Sequence, residues 1–130
     1  MPIDTKKLGT HIEDLVCDYL GRQKLEFITR NYSCSVGEID LIMREESVLV
    51  FIEVRYRKNP TFGSSLESVN WIKQNKIIKT AEYYLLSQKL YEKMPCRFDV
   101  VGVNPLTQKL LGISKLDSAQ VEWVKNAFSR

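Results

Sequence analysis

The chain has 130 residues, 44% hydrophobic and 27% charged, with a net charge of +3. That size and apolar fraction predict a single globular domain over residues 1–130 and exclude wholesale disorder. A lone histidine, His11, and three scattered cysteines, Cys17, Cys34 and Cys96, exclude two-histidine metal motifs, Cys-x-x-Cys sites and a disulfide framework, and point to a reducing cytoplasm.

The elements follow in chain order. Leu8, Ile12, Leu15, Val16, Tyr19 and Leu20 recur at helical spacing, which predicts a first helix over about Lys6–Lys24. Cys17 and His11 lie too far apart along it to form a catalytic pair. A strand is expected over Glu26–Tyr32, then a polar turn at Ser33–Gly37. Two stronger strands come next, Glu38–Arg44 and Val48–Arg57, joined by a short acidic turn. The run Val48–Ile52 is the longest apolar stretch, at five residues, against the roughly 20 that a transmembrane helix needs. The N-terminus has no apolar leader segment, so no secretory signal is expected. Pro60 and Gly63 mark a loop over Asn59–Ser65. A second helix is predicted over Val69–Leu90 and a strand over Arg97–Val103. A turn follows at Asn104–Gln108, with an edge strand over Lys109–Ser114. Asp117 or Ser118 is placed to cap a last helix carrying Val121, Trp123, Val124, Ala127 and Phe128. The order αβββαβ(β)α predicts an α/β fold, a mixed central β-sheet flanked by helices on both faces.

Charge is unevenly distributed. Between Val54 and Ala81 six basic residues (Arg55, Arg57, Lys58, Lys73, Lys76 and Lys79) face one acid, Glu67, while the rest of the chain is slightly acidic. A concentrated positive segment is the footprint of an anion-binding surface, nucleic acid foremost, or else a solubilising face. On a helical wheel Trp71, Ile77, Ile78, Ala81, Tyr84 and Leu85 share one side of the second helix, with Gln74 in the same arc. Lys73, Lys76 and Lys79 occupy another arc, as phosphate contacts or as a solvated face. An amide inside an apolar stripe needs a partner. Gln74 is expected either to reach a site carboxylate or water, or to satisfy a backbone group at the helix start.

The hairpin carries the sharper signal. A turn centred between Glu46 and Ser47 places Asp40 opposite Glu53 and Glu38 opposite Arg55. One face then holds Glu38, Asp40, Glu53, Arg55 and Arg57, continuing as Ile42, Leu49 and Phe51. The other holds Ile39, Leu41, Met43, Val48, Val50, Ile52, Val54 and Tyr56. Opposed carboxylates repel by a few tenths to about 1 kcal/mol. A divalent cation between them removes that penalty, and hard oxygen ligands suit Mg²⁺ or Mn²⁺. The alternative is a solvated network in which Asp40 pairs with Arg55 and Glu53 with Arg57. Glu38 reads as the partner of Arg55 or as an extra acid. Asp99 reads as the partner of Arg97 or a cap for a neighbour, and less readily as support for the site. His11 reads as an ordinary residue of the helix surface.

The strings Gly37-Glu-Ile-Asp-Leu-Ile42 and Phe51-Ile-Glu-Val-Arg-Tyr-Arg57 resemble the YraN-like family of small bacterial proteins. Gly9, Glu13-Asp14, Phe62-Gly63, Lys73-Gln74, Ala81, Leu85, Arg97 to Val101 and Ala127-Phe128 match it in order, so the resemblance covers nearly the whole chain. It implies a restriction-endonuclease-like fold, similar to archaeal Holliday-junction resolvases. By the same resemblance Asp40 and Glu53 are metal ligands, with the Val54 carbonyl beside them. Glu13 is either the helix-one carboxylate that closes the site or a surface helix residue. Arg55 stands where the wider superfamily has lysine. Arginine stays protonated and cannot act as a base, but it can orient the nucleophile or stabilise phosphoryl charge.

The leading expectation is a Mg²⁺- or Mn²⁺-dependent nuclease hydrolysing DNA, structured or branched DNA included. Asp40, Glu53, Arg55 and Glu13 are its catalytic set. Arg57, Lys58, Lys73, Gln74, Lys76 and Lys79 are its nucleic-acid contacts. Analogy with resolvases adds a homodimer. One rival is a non-catalytic nucleic-acid-binding or scaffold protein that keeps the fold. Another is a protein–protein adaptor using the last helix.

Overall fold

The computed structural model describes residues 5–56, 65–104 and 112–130. Helix α1 spans Thr5–Arg22 and leads into strands β1 (Glu26–Cys34), β2 (Gly37–Glu45) and β3 (Val48–Tyr56). Helix α2 (Trp71–Ser87) connects β3 to β4 (Cys96–Val103), and β5 (Val121–Phe128) ends the chain. The five strands form one sheet in the order β1-β2-β3-β4-β5. All neighbours are antiparallel except β3 and β4, which run parallel. A parallel pair needs a long crossover, and α2 lies within it.

The protein is therefore a mixed α/β structure with a helix on each face. Ile12, Leu15, Val16, Tyr19 and Leu20 of α1 pack on Leu41, Met43, Val50, Ile52 and Val101. Ile77, Ala81, Tyr84 and Leu85 of α2 pack on Ile42, Leu49, Phe51, Phe98 and Val100. An aromatic row ties the second layer together: Phe128 stacks on Phe98 at 5.2 Å, Phe98 on Phe51 at 5.5 Å, and Tyr84 meets Phe51 edge-on at 6.0 Å. Helix α2 approaches β2 so closely that a Cβ on Gly37 would sit 3.0 Å from Thr80 Oγ1. Asn70 caps α2, its side chain accepting from the Lys73 amide at 2.9 Å.

The last predicted helix is a strand. Asp117 does cap, accepting from the Ala119 amide at 2.9 Å, but the turn it starts is a single 3-10 turn over Ser118–Gln120. The same apolar residues then run extended as β5. Val121 and Trp123 join the α1 side, and Val124, Ala127 and Phe128 the α2 side. The open edge of β4 and the β-formers Val, Trp and Phe favour this arrangement. Trp71, expected on the buried side of α2, is 74% exposed. The predicted segments at 57–64 and 105–111, with Arg57 and Lys58, lie outside the described residues.

Asp99 is fully buried at an irregularity in the β4–β5 pairing. It accepts from Arg97 Nε at 3.1 Å, Trp123 Nε1 at 2.9 Å and the Asn126 amide at 2.9 Å. Arg97 in turn reaches Glu45 at 2.7 Å. This is the Arg97 pairing expected from the sequence, and it makes Asp99 structural. Asp99→Ala removes a buried acceptor shared by Arg97, Trp123 and the Asn126 amide, so urea denaturation should show a loss of about 3–5 kcal/mol.

Candidate functional site

The β2–β3 hairpin turns at Glu46 and Ser47, with Glu46 at φ 54°. Glu45 pairs with Val48 and Leu41 with Ile52, the register expected from the sequence. The ladder then stops, and the expected Asp40–Glu53 and Glu38–Arg55 pairings are not part of it. Side-chain alternation also breaks there. Leu41 faces α1, yet Ile39, two residues away, packs on the α2 side, opposite to the face expected for it. Strand β1 does the same at the same level. Arg30 turns to α1 while Tyr32 packs against the α2 layer, with Asn31 between them at φ 55°.

Asp40 lies at this break. Its Oδ2 accepts from the Val54 amide at 2.8 Å, so the side chain takes a bond that regular ladder pairing would have supplied. Asp40 also lines a recess of about 130 Å³ with Gly9, Ile12, Glu13, Val54 and Tyr56. Glu53, the neighbouring acid on β3, is 5% exposed. Its Oε2 lies 3.3 Å from Arg55 and 3.7 Å from Lys73 Nζ on α2. The carboxyls of Asp40 and Glu53 lie close together. Burial first, then the neighbouring Glu53 carboxyl, push the Asp40 carboxyl up to about 7, against the opposing Val54 amide and Lys73.

Glu13 reaches the same recess from α1 but is engaged elsewhere. Arg30 on β1 binds Glu13 at 3.2 Å and also pairs with Asp14. Burial raises the Glu13 pKa, Arg30 opposes it, and the Asp40 charge adds to the rise. Among the described residues, no three His, Cys, Asp or Glu side chains form a ready metal-binding group. The structure thus joins Asp40 and Glu53, places Arg55 on Glu53, and holds Glu13 nearby on an arginine. The alternative Asp40–Arg55 pairing does not form. Arg55 pairs with Glu53 rather than Glu38, which is exposed on β2.

The basic set divides. Lys73 faces the carboxylates, whereas Lys76 and Lys79 are exposed on the outer side of α2. Gln74 donates to the Val69 carbonyl at 3.0 Å, which is the helix-start reading of that amide. His11 contacts the Ile113 carbonyl at 3.1 Å, a packing role between α1 and the C-terminal segment. Arg30 and Asn31 escaped the sequence reading. An arginine on an edge strand gives no spacing signal that it will clamp two acids of a helix.

The donors at the break fit a hard divalent cation. Two carboxyls, Glu53 buried and Asp40 half-buried, lie close together, and hard oxygens are the ligands Mg²⁺ and Mn²⁺ take.

Fold and site define an α/β protein whose sheet carries a close acid pair, Glu53 buried and Asp40 half-buried, where two strands part. The family profile described as Uncharacterised protein family UPF0102 matches residues 12–103, from α1 through β4 and including Glu13, Asp40, Glu53 and Arg55. A UPF0102 protein of Coxiella burnetii (strain RSA 331 / Henzerling II) is 43% identical over 95% of this chain and 92% of its own. Those of Legionella pneumophila (strain Corby) and Saccharophagus degradans are each 41% identical, over 95% and 93% of this chain and 96% and 92% of theirs. The chain belongs to the UPF0102 family, the same family as the YraN-like resemblance. Among the described residues no helix is long and apolar enough to cross a membrane.

Proposed function

We propose that this chain is a metal-dependent nuclease that hydrolyses DNA phosphodiester bonds on a restriction-endonuclease-like scaffold. The observation that carries this reading is the contrast between two aspartates. Asp99 and Asp40 each accept a backbone amide from the next strand at a break in register. Asp99 is neutralised by Arg97, as a structural carboxylate should be. Asp40 is set against another acid, and the cations near that acid contact Glu53. An aspartate set against a second acid, with the nearest cations paired to that acid rather than to it, is costly to the fold and is useful for binding a cation.

In this reading Asp40 and Glu53 hold Mg²⁺ or Mn²⁺, with the Val54 carbonyl available beside them. The ion supplies Lewis acidity toward the phosphoryl oxygens and toward water. Arg55 orients the scissile phosphate and stabilises the charge that develops on it. Glu13 is the third carboxylate, and Arg30 restrains it. Lys73 sits between Glu53 and the outer lysines and neutralises the approaching backbone. Arg57 and Lys58 follow the carboxylate strand in sequence and add to its positive charge. Binding should therefore weaken steeply with salt.

One observation favours a second reading, a nucleic-acid-binding scaffold without catalysis: Arg55 and Lys73 already contact Glu53, and Arg30 occupies Glu13. Calorimetric titration with Mn²⁺ separates the two. The nuclease reading expects a binding heat for wild type that vanishes in Asp40→Ala/Glu53→Ala. Equal heats for the two proteins sink it. Manganese binding and DNA binding without cleavage of branched, single-stranded or duplex DNA would favour the scaffold.

A further inference from the structure

The outer side of α2 carries a large aromatic with no packing partner from the sheet. Trp71 is 74% exposed and Ile72 is 62% exposed. They line an open groove of about 390 Å³ with Asn75, Lys76 and Lys79. Ile72, Lys76, Lys79 and Tyr83 follow one another at spacings of four, three and four residues, a single stripe along the helix. Tyr83, farther along it, is 49% exposed. The charged groups lining the groove are both cations, and among the described residues neither forms an ion pair with a carboxylate. Asn75 is engaged, donating to the Trp71 carbonyl at 3.1 Å.

A flat aromatic face beside two cations one turn apart suits an unpaired base with its adjoining phosphates. In duplex DNA the bases are stacked on one another and offer no such face. The same helix leads to the carboxylates, because Lys73 reaches Glu53 at 3.7 Å. Resting on the nuclease reading above, we propose that Trp71 stacks on a base of a single-stranded segment while Lys76 and Lys79 bind its phosphates. The substrate class is then DNA with an unpaired stretch.

Oligo(dT) titrated into the protein in EDTA tests this without any cleavage. Saturation should quench the tryptophan emission of wild type, and Trp71→Phe should lose that change. By fluorescence anisotropy of labelled oligo(dT), Trp71→Ala should bind about tenfold more weakly or worse, the equivalent of one lost base stack. Trp71→Phe should keep most of the affinity, and blunt duplex should be far less sensitive to Trp71→Ala. Equal affinity of wild type and Trp71→Ala for oligo(dT), or unchanged emission at saturation, overturns the proposal. A change in emission with protein concentration alone also overturns it, assigning the face to a second copy of the chain. Oligo(dT) stacking by a protein that never cleaves DNA refutes only the nuclease reading. Cleavage with no Trp71 effect refutes only this one.

Discussion

Glu53→Gln should lower Mn²⁺-dependent DNA cleavage by about a hundredfold or more, the scale of loss when one charge-stabilising contact leaves an active site. Glutamine keeps the shape of the side chain but removes the charge. Arg55 at 3.3 Å and Lys73 at 3.7 Å then lose their shared anion. Their side chains are 30% and 36% exposed, so water compensates in part and the fold should survive. In EDTA the variant should bind DNA at least as well as wild type, because the site gains one unit of positive charge. The pair of readouts matters: cleavage falls while binding holds or rises, which a general folding defect cannot produce. Single-turnover rates on one substrate, with matched protein folding checked by circular dichroism, provide the measurement. Cleavage within about threefold of wild type would remove Glu53 from the chemistry, since such a small effect is ordinary for a peripheral contact.

Much of the sheet was legible because β2 and β3 alternate cleanly near their short turn. The acidic turn at Glu46 and Ser47 set the register, and the register placed Leu41 to Glu45 opposite Val48 to Ile52 as expected. The periodic helices were equally plain, although both end sooner than the apolar pattern suggested. The failure at the C-terminus has a physical cause. Val121, Val124 and Phe128 fit a helical stripe, while Val121 and Trp123 fit a strand, and only the unpaired edge of β4 decides between them. A residue series cannot display an edge that forms from residues twenty positions earlier.

The site was legible in its members and not in its geometry. Asp40 and Glu53 were expected to meet because the register put them opposite each other. They do meet, but at a place where the ladder has ended and Asp40 bonds the Val54 amide instead. The break depends on Asn31 in a left-handed conformation on the neighbouring strand and on matched reversals in β1 and β2. Asparagine tolerates that conformation better than most residues, but one asparagine in a strand is too common to foretell a bulge. Nor could spacing show that Glu13 would be engaged by Arg30, since the two lie on different elements and meet only through packing.

The acid pair also makes the cation-free protein depend on pH in an unusual direction. Asp40 has a folded-state pKa of about 7, against about 3.9 in an unfolded chain. Between those values the folded state holds the proton more tightly than the unfolded state does. Its stabilising contribution is therefore whole below about pH 4 and is lost as the pH rises through about 7. The full linkage is at most about 4 kcal/mol. Asp40→Asn keeps an oxygen acceptor for the Val54 amide and cannot titrate. In EDTA, urea denaturation should find that wild type loses about 2 kcal/mol or more relative to Asp40→Asn between about pH 5 and pH 8. Comparing the two proteins cancels the titration of groups the substitution leaves alone. Millimolar Mn²⁺ should reverse the order at the higher pH, because a cation bound only by the folded wild type adds about 2.7 kcal/mol at a hundred times its Kd. Parallel stability curves for the two proteins in EDTA would show that Asp40 does not hold its proton more tightly in the folded state. No stabilisation of wild type by Mn²⁺ would show that the pair holds no cation, and the metal site would fail along with the nuclease reading built on it.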